Sequence, residues 1–205
     1  MNKQKLKELE SIFQYLYPNM FENEDLKIIS KKHNMQRHLK NAQIVLAKEN
    51  FKNKDSIDDI VKIVTRSSLV SVFEKMRFRD LIKEFDLSEK ETLKIGVYEL
   101  VHGDEEYGFN MLVSLLAPFK LAKWPIITIF NVYYKPTYDV FMKPTVVKKV
   151  IRALELDDLQ YTPRPNFELY RKYRDYLNEM KTLVDPGLSP NNPAFSGFLM
   201  ITIQD

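Results

Sequence analysis

The sequence predicts a mainly α-helical fold, a single globular body of many helices, and three observations support this. Its 205 residues include only five glycines against ten prolines, so the tight turns of β-hairpins are scarce. Apolar residues recur mainly at spacings of three and four, which is the helical period. Hydrophobic residues make up 44% of the chain and charged residues 29%, a composition that allows a packed core.

The amino-terminal part of the chain is expected to form a helical pair. A first helix over residues 3–17 has a regular apolar face and ends at Pro18, because proline interrupts a helix. A second, longer helix is predicted over residues 23–48. A polar stretch follows, and we place there the boundary between the amino-terminal pair, residues 1–54, and a main helical domain, residues 55–205.

Capping residues place several helices of the main domain. Ser88 and Glu91 have the spacing of a capping box, for a helix that ends at His102 and Gly103. Asp104 is the expected cap of the following helix, and Asn166 that of a long helix near the carboxyl terminus. Pro144 suits the first position of a further helix.

Two segments have ambiguous patterns. Residues 124–134 are β-branched and aromatic, which favours a strand, but Pro125 at the start suits the first turn of a helix. We favour a buried helix there and keep the strand as the alternative. Residues 140–143 are held extended by the proline that follows, and they are the candidate for one short strand.

Basic residues gather at the helix predicted after Phe141 and Met142. A helix amino terminus offers unpaired N–H groups and the positive end of the helix dipole, which together attract phosphate. The alternative is a solvated basic face on a surface helix. The candidate phosphate- or anion-binding residues are Lys143, Thr145, Lys148, Lys149 and Arg152.

A second basic feature lies on the predicted long amino-terminal helix. Residues 26–48 contain six Lys or Arg and no Asp or Glu. Lys27, Lys31, Arg37 and Lys40 form a basic stripe that suits a nucleic-acid backbone. Aromatic residues are not interleaved with these charges, which weakens the case for binding a single strand. An exposed charged helix is the alternative interpretation.

The composition argues against several other classes. The absence of cysteine removes disulfides and thiolate sites and is typical of a reducing cytoplasm, where we expect the protein to reside. We expect no secretion signal, because the amino terminus is charged, and no membrane partner, because apolar runs are short. The cluster at 102–106, HGDEE, contains metal-binding residue types, but helix ends explain them, so we expect no metal and no cofactor.

The carboxy-terminal two-thirds of the chain resembles a family of uncharacterised bacterial proteins. The resemblance rests on FMKPTVVKK, then YTPRPN, then DPGLSPNNPAFSGFLM, because in that family an F-x-K-P-T-x-x-K segment precedes a Y-x-P-x-P-N segment at similar spacing. It implies a helical fold and supplies no catalytic residue. It draws attention to Lys143, Pro144, Thr145 and Lys148, which belong to the first segment.

Three hypotheses about function follow, and whether the protein is an enzyme is left uncertain. The leading one is a non-catalytic binding protein that recognises nucleic acid or another phosphate-bearing ligand. The second is an enzyme acting on a small anionic or phosphorylated substrate, with Asp139 or Tyr161 as the nearest acid or base. The third is a structural subunit that self-associates as a homo-oligomer through exposed Tyr and Phe side chains.

Overall fold

The computed structural model describes residues 1–32, 34–53 and 56–203, and within these ranges the chain forms eleven α-helices and no β-strand. The predicted helical fold is therefore confirmed. The helices are α1 (Lys3–Leu16), α2 (Glu24–Lys32), α3 (Met35–Val45), α4 (Ser56–Arg66), α5 (Val72–Glu84), α6 (Leu87–His102), α7 (Glu105–Leu116), α8 (Trp124–Tyr134), α9 (Pro144–Ala153), α10 (Phe167–Thr182) and α11 (Asn192–Thr202).

Helix α8 is the central helix of the fold. Ten of its eleven residues are buried, and α3, α4, α6 and α7 pack against it. A helix that is apolar on every side has no amphipathic period, which explains why its sequence also suited a strand. Pro125 stands in its first turn, so the prediction of a buried helix is confirmed.

The prediction of one long amino-terminal helix over residues 23–48 is wrong. Helix α2 ends at Lys32 and α3 begins at Met35. Between them Asn34 has a φ of 50°, a left-handed conformation that asparagine tolerates better than most residues. His33 lies outside the described residues.

The short strand considered at 140–143 is not formed. Val140, Phe141 and Met142 are buried in an irregular segment that leads into α9. The Met142 N–H donates to Thr128 Oγ1 on α8, at 3.1 Å. A side-chain hydroxyl thus takes the place of a neighbouring strand as the hydrogen-bond acceptor.

The predicted caps Asp104 and Asn166 are confirmed, since each side chain accepts a hydrogen bond from a backbone N–H in its helix. The capping box assigned to Ser88 and Glu91 is wrong. Asp86 and Glu89 form it instead, so α6 begins two residues earlier than expected.

The amino-terminal helices contact the rest of the chain closely. Helix α1 packs on α11, where Phe13 meets Phe198 edge to face with ring centroids 5.3 Å apart. The Asp185 N–H donates to the buried Glu10 carboxylate at 2.6 Å. The division into units 1–54 and 55–205 stays a prediction.

A glycine allows α6 and α7 to pack as a tight antiparallel hairpin. A Cβ atom at Gly108 would lie 2.1 Å from the Leu100 backbone nitrogen and 2.7 Å from the Gly96 carbonyl oxygen. These neighbours are backbone atoms of α6, which cannot move without shifting the whole helix. The contact of the two helices therefore requires glycine at position 108.

We predict that Gly108→Ala destabilises the fold by about 1–3 kcal/mol or more, because the added methyl group forces the two helices apart. Gly197→Ala is the matched control in α11, since no atom lies within 4 Å of the added Cβ. It should raise stability by about 0.5–1 kcal/mol, the helix preference of alanine over glycine. Urea unfolding measures both, and equal effects would contradict this account of the hairpin.

A buried ionic cluster joins α7, α10 and the segment before α9. The Arg174 side chain is only 4% exposed, and its guanidinium donates to Asp139 Oδ1 at 2.7 Å and to Glu105 Oε1. The Tyr170 hydroxyl donates to the same Asp139 oxygen at 3.0 Å. Burial alone lowers the pKa of Arg174, but the hydrogen bond to Glu105 and its other partners raise it overall, so the group stays charged.

We predict that Arg174→Met lowers the free energy of unfolding by about 3–5 kcal/mol, because it leaves the buried Asp139 carboxylate without its charge partner. Arg171→Met, one turn earlier on α10, is the control. Its exposed pair with Asp175 should contribute at most about 1 kcal/mol. Denaturant titration compares the two variants, and a small effect of Arg174→Met would show that the cluster does not hold these segments.

Candidate anion-binding cleft

A concave site of about 360 Å³ lies between α3 and α4, at the carboxyl end of α8. Residues spaced by three or four on α3 and α4 share one helix face, so each helix contributes several side chains to the cleft. The lining residues are Asn34, Arg37, His38, Asn41, Lys62, Ile63, Arg66 and Tyr133.

The cleft is strongly cationic. Arg37, Lys62 and Arg66 all line it, and none of the eight lining residues is acidic. Lys62 is paired with Asp59 one turn before it, with 2.8 Å between the amine and the carboxylate. Within the described part of the chain, Arg37 and Arg66 form no salt bridge. Two guanidinium groups are thus available to an anion.

Two aromatic rings form the floor of the cleft. The His38 imidazole lies parallel to the Tyr133 ring, with 2° between the planes and 5.7 Å between the centroids. Tyr133 is 1% exposed, and its hydroxyl is 2.7 Å from Ser67 Oγ. This hydrogen bond fixes the tyrosine ring, and the tyrosine ring in turn holds the imidazole.

The charge state of His38 is set by its surroundings. Burial lowers the pKa of this imidazole, and the positive charges of Lys75 and Arg37 lower it further. Its ordinary pKa is near 6.5, so His38 is neutral at pH 7. The cationic charge of the cleft at neutral pH therefore comes from arginine and lysine.

The residues predicted to seat phosphate lie on α9. Lys143, Thr145, Lys148 and Arg152 are exposed and Lys149 is half-buried. Positions 145, 148, 149 and 152 share one helix face, opposite the buried Val147 and Val150. The Lys148 amine lies over the Tyr161 ring, 4.8 Å from its centroid. The structure thus places four of these residues on one face of α9 and Lys143 just before its first turn, and their binding of phosphate stays a prediction.

The basic stripe is divided between two helices. Lys27 and Lys31 lie on α2, and Lys27 is paired with Glu22 and Glu24 at 3.1 and 3.3 Å. Arg37 and Lys40 lie on α3, and of the four only Arg37 lines the cleft. The break at Asn34 separates the two pairs of charges.

The candidate acid–base residues both have other contacts. Asp139 is buried and accepts hydrogen bonds from Arg174 and Tyr170. Tyr161 is half-buried beneath Lys148, and burial raises the pKa of its hydroxyl. In the segment 102–106, Asp104 caps α7 and Glu105 bonds Arg174. Among the described residues no group of three acidic, His or Cys side chains is arranged to hold a metal ion.

Sequence reasoning missed most of the cleft. Lys62 and Arg66 are one turn apart on α4, a spacing that also suits an ordinary solvated helix face. Tyr133 is also part of the hydrophobic core, so its sequence context does not mark it as a site residue. Only the packing of α3 and α4 around the end of α8 brings these residues to Arg37, and no local pattern in the sequence indicates that packing.

Protein-family models, curated proteins and solved structures were each compared with the chain, and none matches it. The resemblance based on the F-x-K-P-T-x-x-K segment therefore stays a prediction. None of the helices in the described ranges has the length and apolar character needed to cross a bilayer.

We predict that His38 titrates below pH 6.5. Lys75→Met should raise the pKa of His38 only part of the way back to 6.5, because burial is the larger cause of the shift. The unfolded chain then binds this proton before the folded chain does. Stability therefore falls as the pH drops below the unfolded value of about 6.5. NMR titration of the imidazole measures the pKa, and a value above 6.5 would contradict the assigned surroundings.

Proposed function

We propose that this protein is a non-catalytic binding protein and that it recognises the phosphate group of its ligand in the cationic cleft. The observation that supports this is the convergence of Arg37, Lys62 and Arg66 on one concave site whose lining contains no carboxylate. Guanidinium groups match the geometry of phosphate oxygens and stay charged at every physiological pH. The volume of the cleft is within the range of small-ligand sites.

The cationic face of α9 is a second surface for the same class of ligand. Lys143, Lys148 and Arg152 would extend the contact with a long polyanion such as nucleic acid, in addition to the cleft. Binding that uses several such charges should weaken steeply as salt is added. A cytoplasmic location, expected from the absence of cysteine, is part of this proposal.

The enzyme alternative has a specific observation in its favour. His38 is a neutral imidazole inside a cationic cleft, which is the state required of a general base acting on a phosphorylated substrate. This alternative differs from the binding proposal because it requires turnover of the bound compound. Asp139 has no part in it, since its carboxylate is held by Arg174.

Self-association also has a candidate surface. Val72 and Phe73, in the first turn of α5, are 71% and 69% exposed, and Met76 beside them is half exposed. Large apolar side chains grouped in this way are typical of contact surfaces. These three residues, rather than a Tyr and Phe face, are where we place a homo-oligomer contact.

We predict that the protein binds inorganic pyrophosphate at low salt and that Arg37→Ala with Arg66→Ala weakens this binding by tenfold or more. Each lost charged hydrogen bond removes roughly 1.5–3 kcal/mol, and 1.4 kcal/mol is a factor of ten. The matched control is a variant with Lys143, Lys148 and Arg152 all changed to alanine. It should stay within about twofold of the unchanged protein. Isothermal titration calorimetry measures the affinities.

Two results would decide against the cleft. Loss of affinity in the α9 variant alone would assign the phosphate to the start of α9. Absence of pyrophosphate binding to the unchanged protein would reject the proposed function. Circular dichroism melting curves of the variants check that each is folded, since the changed side chains are exposed and should contribute little to stability.

A further inference from the structure

The cleft contains a flat aromatic surface in addition to its charges. The His38 ring is only half-buried and lines the cleft, while the ring below it, Tyr133, is fully buried. The parallel contact with Tyr133 and the hydrogen bond between the Tyr133 and Ser67 hydroxyls fix the plane of the imidazole. A phosphate ion by itself does not stack on an aromatic ring, whereas nucleobases stack on rings of this kind.

Two amide side chains flank this ring. Asn34 and Asn41 lie about one helical turn before and after His38, and both line the cleft. Both are exposed, and within the described residues neither side chain forms a hydrogen bond. An amide offers a donor and an acceptor side by side, which is the pattern that the edge of a base presents in return.

The charges occupy the other wall. Lys62 and Arg66 belong to α4, across the cleft from the amides on α3, and Arg37 lies next to His38. The site thus combines cationic groups, an aromatic plane and unbonded amides within about 360 Å³. Phosphate, base face and base edge are three features by which proteins recognise a nucleotide.

We propose that the ligand of the cleft is a nucleotide unit, with its phosphate on Arg66, Lys62 and Arg37 and its base stacked on His38. This inference rests on the proposed function. The unit is either a free nucleotide or one residue of a single strand, because both present the same phosphate and base. The neutral state of His38 at pH 7 agrees with a stacking role, since the imidazole then carries no charge of its own into the cationic cleft.

The decisive comparison is between AMP and ribose 5-phosphate, which share the phosphate and the sugar and differ only in the base. We expect AMP to bind the unchanged protein about tenfold more tightly, the contribution of one stacked base. His38→Ala should remove this advantage and leave the affinity for ribose 5-phosphate unchanged. His38→Phe, which keeps an aromatic ring, should retain it. Calorimetric titrations at low salt give all of these affinities.

Equal affinities for AMP and ribose 5-phosphate would overturn the nucleotide assignment and leave the proposed function intact. An AMP advantage that survives His38→Ala would also overturn it, because the base would then lie elsewhere. Absence of binding by ribose 5-phosphate and pyrophosphate alike would instead reject the phosphate site itself.

A third ligand, a single-stranded hexa-adenylate, distinguishes the two sources of the nucleotide. The ligand is a free nucleotide if two results are obtained together. His38→Ala weakens the binding of the strand and of AMP alike, and one strand binds no more tightly than one AMP molecule. If the strand binds at least tenfold more tightly and the Lys143, Lys148 and Arg152 variant removes the difference, the ligand is a strand that also crosses α9. If the strand binds and His38→Ala does not change its affinity, the proposal is contradicted.

Discussion

The buried charge of Arg174 is the constraint on which the arrangement of the carboxy-terminal helices depends. A guanidinium removed from water must be paired, because the cost of leaving it unpaired is several kcal/mol. Its carboxylate partners are distant in sequence, Glu105 at the start of α7 and Asp139 before α9. The rings of Tyr138 and Tyr170 lie against the guanidinium at 4.6 and 5.1 Å. These four contacts join α7, α10 and this segment at one guanidinium.

Helix α8 connects this cluster with the candidate site. Asn131 on α8 donates to Glu105 at 3.1 Å, so the ionic cluster fixes this helix as well. Tyr133 follows two residues later, about 200° further around the helix, and its ring forms the floor of the cleft. The cleft is therefore built on the side of α8 that faces away from the cluster. A shift of α8 that broke the Asn131 contact would also move the aromatic floor.

The sequence predicted those features that depend on local chemistry. Asp104 and Asn166 cap helices because a carboxylate or amide oxygen placed just before a helix meets its unpaired N–H groups. The break at Asn34 was missed because a single left-handed residue leaves no periodic signal, and the one interruption of the apolar spacing before it, at Lys32, also suits a continuous helix. The cleft was missed for a different reason. Arg37, Arg66 and Tyr133 come from three helices, and only tertiary packing brings them together.

The charge distribution of the cleft favours a binding role over a purely structural one. Burial is the first cause of the lowered His38 pKa, and the positive charges of Lys75 and Arg37 lower it further, so the surroundings of this ring disfavour an additional cation. At Arg174, by contrast, a buried guanidinium is paired with two carboxylates. Arg37 and Arg66 are exposed and, within the described residues, form no ion pair, so their charges stay available to an anion. An anion in the cleft would therefore meet these positive charges without first displacing a carboxylate from Arg37 or Arg66.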